Sequence, residues 1–383
     1  MMTMITKQEV LKDKLEEYLK ADKPGKGHIL NHLQAVLGFD RKAIVRRLNS
    51  LQIKDPHHID QRGGKEIYGP RVTIALKEVW HVASEICAER LHPQLAELIR
   101  VLKRDKMWNH NEQTTKLLFV MSLGTMKNRV SKFPRIRNHK GRSTTKPSSL
   151  KEMIPIRRGP WDNPDPGFGE IDTVAHCGSS LSGDYAYSVQ YTDVALIWTC
   201  LAAQWNKGQH ETLKSIQRIK RRLPVTMLGI DPDTGSEFIN WLVKDWCDEQ
   251  EPKVELTRIR PYHKNDHGRI EQKNYVNIRQ FLGYTRIDEA KRIKLMNQMY
   301  EHLEDYINFF LPSQKCLKKE RTGSRYKRVY DTAQTAYQRV LGHSQVPKTA
   351  KEQLKLKYDR LNPKILKDKI ERLLKLILNN THY

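Results

Sequence analysis

Cysteine is scarce and scattered in this chain. Paired cysteines at short spacing mark zinc sites and disulfide frameworks. The chain contains no CxxC pair, so its sequence predicts neither kind of site. Isolated thiols fit a reducing compartment, where most serve as small core residues. The five cysteines are Cys87, Cys177, Cys200, Cys247 and Cys316.

Long apolar runs are also missing. No stretch approaches the roughly 20 apolar residues that a membrane-spanning helix needs. Residues 1–20 are polar with helical spacing and lack the apolar centre of a secretion signal. We therefore expect no membrane partner and a cytoplasmic location, associated with the nucleoid because of the charge described next.

Acidic residues are outnumbered by basic ones. Lys and Arg total 68 against 44 Asp and Glu, which gives a formal net charge of +24. Phosphate backbones attract positive charge that is spread over a surface, so nucleic acid is the expected partner. Composition alone leaves a second interpretation open, that of a basic protein associated with the ribosome or simply soluble.

The N-terminal segment 1–66 predicts helices joined by tight turns. Apolar residues at helical spacing run through residues 29–37, Gly38 can end that helix, and Asp40 can cap the next. Two short helices with a glycine turn are typical of a helix-turn-helix DNA-binding domain. An ordinary helical hairpin is the alternative. The basic residues of the second helix that would face DNA are Arg41, Lys42, Arg46 and Arg47.

Residues 67–133 predict a second helical DNA-binding domain. In EQTTKLLFVMSLGTMKNRVSKF, Ser122 can cap a recognition helix that carries Lys127 and Arg129. Two tandem modules would read a longer DNA site than one. A basic linker follows over 134–160, where Pro, Ser and Thr interrupt any periodicity.

The middle of the chain, 161–311, changes to strand patterns. Three strands, a helix, a strand, a helix, a strand and a helix are predicted in that order. Three acidic residues stand in separate frames there. Asp172 lies in GEIDTVAH, Asp233 in IDPDTGSEF and Glu271 in NDHGRIEQKN.

These motifs resemble the catalytic core of the DDE recombinases, the superfamily of retroviral integrases and bacterial insertion-sequence transposases. The likeness covers roughly 165–282, and Thr234 departs from the family's usual Asn. It implies a ribonuclease-H-like mixed five-stranded sheet with helices. It also implies that Asp172, Asp233 and Glu271 are catalytic and hold two Mg²⁺ ions, with Mn²⁺ as a substitute.

The expected reaction is metal-dependent DNA cleavage and strand transfer by direct transesterification at mobile-element ends. Energy stays in the phosphodiester bonds, which agrees with the absence of a GxxxxGK[ST] loop. Asp231 is a rival to Asp233, because residues i and i+2 of a strand point the same way. Glu237 is expected to support the loop. Basic residues expected to approach DNA phosphates near the triad are Lys264, Arg269 and Lys273.

The fold class predicted for the whole chain is multidomain α plus α/β. Its last segment, 312–383, is predicted to be basic and helical, with an amphipathic helix in KILKDKIERLLKLIL. The resemblance implies a homo-oligomer on DNA, because joining two ends needs more than one active site. Two other functions stay open: a ribonuclease-H-like nuclease that cuts without joining, and a DNA-binding regulator that has lost its chemistry.

Overall fold

The computed structural model describes residues 4–52, 67–134, 165–232, 235–257, 273–322 and 325–378. The chain divides into two compact units, residues 1–67 and residues 68–383. None of the described helices is both long and apolar enough to cross a membrane.

The first unit is helical. Gly38 ends the third helix with a left-handed φ of 66°, and the Asp40 carboxylate accepts a hydrogen bond from the Lys42 amide at 2.8 Å. Its core is formed by Leu11, Leu30, Leu33, Leu37, Ile44 and Leu48. The helices are α1 (Met4–Asp13), α2 (Leu15–Lys20), α3 (Lys23–Leu37) and α4 (Arg41–Gln52).

The second unit begins with a further set of helices. Ser122 caps α9 as its sequence predicts, because its hydroxyl accepts a hydrogen bond from the Thr125 amide at 3.2 Å. Trp80 is fully buried and donates its indole N–H to the Ile86 carbonyl at 2.9 Å. The helices are α5 (Pro70–Val82), α6 (Ala88–Leu91), α7 (Leu95–Arg104), α8 (Glu112–Phe119) and α9 (Leu123–Val130), with a 3-10 turn at His92–Gln94.

A mixed five-stranded sheet follows, as the sequence predicts. Its spatial order is β3-β2-β1-β4-β5. The β1/β2 and β2/β3 pairs are antiparallel, whereas β1/β4 and β4/β5 are parallel. The strands are β1 (Phe168–Ala175), β2 (Ala186–Asp193), β3 (Thr199–Trp205), β4 (Gly229–Pro232) and β5 (Glu255–Leu256). Helix α10 (Gln209–Lys220) precedes β4, and α11 (Trp241–Asp248) precedes β5.

Helical residues continue after the sheet over 273–282, here called the 273–282 helix, which contains a π-helical turn at Tyr275–Arg279. The long helix that the sequence predicts over 286–311 begins later, as α12 (Arg292–Phe310). The backbone of Ile287 explains the difference, because it is extended against the sheet. Its N–H donates to the His176 carbonyl at 3.0 Å, and its carbonyl accepts from the Ala186 amide at 2.8 Å.

The C-terminal segment, predicted to be basic and helical, contains strands as well as helices. It opens with an antiparallel hairpin, β6 (Cys316–Thr322) and β7 (Arg325–Tyr330). Aromatic and β-branched residues such as Val329 and Tyr330 favour extended backbone, which the basic composition obscured. Three helices follow: α13 (Ala336–Gly342), α14 (Lys348–Asp359) and α15 (Pro363–Leu378). The amphipathic helix predicted near the end corresponds to α15.

One hydrophobic core runs through the second unit, from Val72 to Ile377. The described parts of the predicted domains 67–133, 161–311 and 312–383 all contribute to it. Polar contacts join the same parts, since the Tyr306 hydroxyl lies 2.8 Å from that of Ser84 and also donates to the Val82 carbonyl. The segments on both sides of the sheet therefore share one hydrophobic core with it.

Candidate active site

Asp172 lies in the middle of β1, with its carboxylate held from two sides. Oδ1 accepts a hydrogen bond from the Thr173 amide at 2.7 Å, and Oδ2 accepts one from the Asn274 side chain at 2.6 Å. Hydrogen bonds to the charged form stabilise an ionised carboxylate. The structure thus fixes the orientation of the first acid of the predicted triad.

The 273–282 helix lies over the sheet face that carries Asp172. One turn beyond Asn274, Asn277 donates to Gln190 Oε1 at 3.1 Å, and Gln190 is the β2 partner of Asp172. The π-helical turn of this helix belongs to a class of irregularity that is frequent at functional sites. Glu271 precedes Asn274 by three positions in the sequence and lies outside the described residues.

The parallel pairing of β1 and β4 aligns Glu170 with Asp231 and Ile171 with Pro232. Asp233, which follows β4 in the sequence, lies outside the described residues, so its role stays a prediction. Its rival Asp231 is fully buried and accepts a hydrogen bond from the Thr257 hydroxyl at 2.6 Å. Asp231 thus connects β4 to the end of β5.

Glu237 joins the loop after β4 to β1 and to the start of α10. Its side chain is 1% exposed, and Oε1 accepts the Thr173 hydroxyl at 3.1 Å and lies 2.7 Å from Lys207 Nζ. Its Oε2 is buried and has no hydrogen-bond partner among the described residues. A Cβ atom at Gly235 would lie 2.4 Å from that oxygen, so a larger residue there would displace the Glu237 carboxylate. This placement agrees with the supporting role expected for Glu237.

The residues around Asp172 suit a hard cation, which prefers oxygen ligands. Asp172 offers a carboxylate, and Asn274 Oδ1 is buried without a partner in the described part of the chain. The described residues contain no group of three His, Cys, Asp or Glu side chains placed to hold a metal ion. Two members of the predicted Mg²⁺ set, Asp233 and Glu271, lie outside that search.

The basic residues predicted on α4 lie mostly on its surface. Arg41, Lys42 and Arg46 are exposed. Arg41 donates to the Gly27 carbonyl at 3.4 Å and to the Asn31 side chain. The Arg47 guanidinium stacks over the Phe39 ring at 4.3 Å from the ring centre. These positions leave a basic face on α4.

The basic residues predicted on α9 are engaged within the protein. Lys127 pairs with Glu89 at 2.9 Å. Arg129 donates to the Tyr68 carbonyl at 2.5 Å and to the Thr73 hydroxyl, so it fastens α9 to the start of α5. The partners Glu89, Tyr68 and Thr73 lie far from α9 in the sequence, so the motif did not indicate these contacts. DNA contact by either residue stays a prediction.

Of the basic residues predicted near the triad, Lys264 and Arg269 lie outside the described residues. Lys273 lies at the start of the 273–282 helix. Burial, together with the positive charges of Arg90 and Arg339, lowers the pKa of Lys273 to about 7. No sequence motif links Lys273 with Arg90 or Arg339.

Two residues at the site were not predicted from the sequence. Thr173 acts through its hydroxyl on Glu237, and Asn274 acts through its amide on Asp172. Asn274 could have been found by helical spacing, because residues three apart share a helix face. Thr173 gave no such signal, since its partner lies on a distant loop.

No family model matches the chain. A protein of Sinorhizobium fredii, named uncharacterized protein y4rM, is 30% identical over 330 residues, which are 86% of this chain and 93% of that protein. The chain belongs to the same family as the y4rM protein. The match covers most of both chains, so it includes more than the segment that resembles the recombinase core.

Proposed function

We propose that this protein is a DDE-type DNA transposase or integrase that binds the ends of a mobile element and joins them to target DNA. The observation that carries the proposal is the hydrogen bond from Asn274 to Asp172. It ties the strand of the first sequence motif to the helix that directly follows the third motif.

The sheet supports a ribonuclease-H-like core. The sheet has the order β3-β2-β1-β4-β5, with β2 antiparallel to both neighbours and β4 and β5 parallel to β1, so it is mixed and five-stranded, as the resemblance implies. Asp233 follows β4 in the sequence, and β4 is the parallel neighbour of the central strand β1. Strand ends of this kind are where α/β sheets place functional residues.

Asp172, Asp233 and Glu271 would hold the metal ions. Two Mg²⁺ ions, when bound, would supply positive charge at the attacking and leaving oxygens of a phosphodiester. The described residues contribute orientation: Thr173 and Asn274 fix the Asp172 carboxylate, and Glu237 fixes the loop that follows β4. Such positioning lowers the entropic part of the barrier.

DNA as the partner is supported by the net charge of +24 and by the basic face of α4. The three-residue connection between α3 and α4 is compatible with a helix-turn-helix DNA-binding domain. The expected location is therefore the nucleoid, with the protein acting as a homo-oligomer on DNA.

The test is a joining assay with supercoiled plasmid, labelled DNA from the flanks of the gene, and Mg²⁺ or Mn²⁺. Wild-type protein is compared with Asp172→Asn and with a matched surface change, Asp288→Asn. Asp288 pairs with Arg286 at 2.9 Å and is half exposed. We expect joined strands with the wild type and Asp288→Asn, and none with Asp172→Asn.

The alternatives predict other products. Metal-dependent nicking without joined strands would show that the protein is a nuclease that cuts DNA without joining it, and the proposal would be wrong. Specific binding to flanking DNA without any metal-dependent product would favour the regulator. Joining that persists in Asp172→Asn would remove Asp172 from the chemistry.

A further inference from the structure

The β6–β7 hairpin is a two-stranded sheet that is separate from the five-stranded sheet. None of its described residues belongs to the hydrophobic core of the second unit or packs against it. Leu317, Val329 and Tyr330 are exposed although each is large and apolar. Because a two-stranded hairpin is only marginally stable in water without such packing, this one has the features of a surface that a partner covers.

The base of the hairpin is fastened to the second unit. The Arg339 guanidinium on α13 pairs with the Asp331 carboxylate at 2.6 Å, and the same carboxylate accepts a hydrogen bond from the Lys315 amide at 2.6 Å. Two backbone hydrogen bonds between Ser313 and Gln334, of 2.8 and 3.1 Å, hold the chain together just before and after the two strands. The base is therefore fixed in place, while the strands themselves are exposed.

The hairpin is strongly basic. Residues 316–330 contain six Lys and Arg residues against one acidic residue, Glu320. The side chains of Lys318, Lys327 and Arg328 are exposed. The strand register places Lys319 directly opposite Arg328, and like charges at such paired positions destabilise a sheet. A polyanion bound to the hairpin would offset this repulsion.

The positive charge is divided unequally between the two faces of the hairpin. Residues paired across antiparallel strands lie on the same face, and the face alternates along each strand. One face carries Glu320, which lies opposite Lys327 and forms a 2.5 Å ion pair with Lys318. The paired positions of the other face hold three cations, one tyrosine and no acidic residue, namely Lys319, Arg321, Tyr326 and Arg328. This second face is the one suited to phosphates.

We propose that the β6–β7 hairpin is a DNA-binding ribbon that lies in the major groove of a duplex, with its cations at the phosphates on either side. The major groove of B-DNA admits a two-stranded β-ribbon, and the guanidinium fork of arginine matches phosphate oxygens. The major groove of duplex RNA is deep and narrow, so side chains cannot read it. The choice of DNA as the polyanion rests on the proposed function, whereas the anionic partner rests on the exposure and charge of the hairpin.

The experiment uses the full chain without divalent metal, so that binding is measured apart from chemistry. A short fluorescent DNA duplex, and an RNA duplex of the same sequence, are titrated at a series of salt concentrations. Wild type is compared with the double variant Lys327→Gln with Arg328→Gln. The matched control is Lys348→Gln with Lys355→Gln, which removes the same charge from exposed positions of α14.

We expect the double variant to weaken DNA binding and to lower the slope of log Kd against log salt by about two, as loss of two phosphate contacts does. The control should keep the wild-type slope on DNA, and the slope on RNA should be the same in all three proteins.

A further variant, Arg328→Glu, separates binding from folding. It places opposite charges at the paired positions 319 and 328, so the thermal unfolding midpoint should not fall. DNA binding should nevertheless weaken, because a cation at the phosphates becomes an anion. A lower midpoint that accounts for the weaker binding would make the role of Arg328 structural and would contradict the proposal.

An unchanged DNA slope in the double variant, or a loss equal to that of the control, would overturn the proposal. An equal loss of slope on the RNA duplex would show that the hairpin does not lie in the DNA major groove. If the DNA slope falls as expected but wild-type protein never joins DNA in the plasmid assay, the proposed function fails and the hairpin site stands. Joining by wild type with an unchanged slope in the double variant would have the opposite meaning.

Discussion

The side-chain nitrogen of Asn274 lies 2.6 Å from Oδ2 of Asp172, although 102 positions separate the two residues. This hydrogen bond fixes the rotamer of Asp172 and favours its charged form. Hydrogen-bond partners of metal-binding carboxylates generally have this effect. The hydrogen bond leaves Asn274 Oδ1 buried beside the same carboxylate. Asn274 is therefore a positioning residue for Asp172.

Replacing Asn274 with alanine should raise the Mg²⁺ concentration needed for half-maximal joining by roughly 10-fold or more, the usual cost of losing a partner of a metal ligand. The measurement is a Mg²⁺ titration of the joining rate. Asn277→Ala is the matched control, since Asn277 lies one turn away and contacts Gln190 instead. Equal Mg²⁺ requirements in the two variants would contradict a role specific to Asn274.

Glu237→Gln should destabilise the second unit by about 1–3 kcal/mol, because the Lys207 ammonium loses its charged partner. Chemical denaturation measures this change. Lys207→Met combined with Glu237→Gln should cost less than the sum of the two single changes, because they share one interaction. Strict additivity would show that the 2.7 Å pair contributes little.

Arg46→Ala with Arg47→Ala should weaken DNA binding and reduce the salt slope by about two, if α4 contacts DNA phosphates. The control is Lys12→Ala with Lys20→Ala, which removes the same charge from α1 and α2. Lys12 is exposed, and Lys20 is 76% exposed. A control that loses as much affinity would mean that net charge, and not α4, governs binding.

The stability of the second unit should fall between about pH 5 and pH 8 because of Glu304. Burial raises the pKa of Glu304 to about 8, and the negative charge of Asp305 acts in the same direction. The positive charges of Arg222 and Lys357 lower this pKa but do not cancel the effect of burial. An unfolded glutamate titrates near pH 4.3, so within this window the folded state binds more protons. The free energy of unfolding then decreases as pH rises.

Glu304→Gln should remove most of that decrease. A glutamine can still accept the hydrogen bond that Leu201 N–H gives to Oε1, which separates charge from shape. Because one pKa unit corresponds to about 1.4 kcal/mol, the difference between variant and wild type at pH 8 should reach a few kcal/mol. Denaturation at pH 5 and pH 8 checks this, and equal pH dependence in both proteins would refute it.

Local signals in the sequence were sufficient for many elements of the fold. Gly38 and Asp40 end and begin helices because their effects act within four residues. The strands from Phe168 to Trp205 follow from β-branched and aromatic patterning, whereas the five-stranded mixed sheet was expected from the resemblance to the recombinase core.

Long-range contacts account for what the sequence did not predict. Arg129 looks like a DNA-contacting residue on its helix, yet its partners Tyr68 and Thr73 lie more than 50 positions away. Ile287 sits in a helical pattern but is extended by backbone pairing with His176 and Ala186. Asp233 and Glu271 lie outside the described residues, so the complete triad remains a prediction from motifs.

The hydrophobic core that runs from Val72 to Ile377 has a practical consequence for work with fragments of this protein. A fragment cut at 161 and 311 would lose the flanking helices that share its hydrophobic core, and apolar side chains such as Phe309 and Phe310, which stack on Tyr358, would face water. Such a fragment should aggregate. The second unit should melt in a single calorimetric transition.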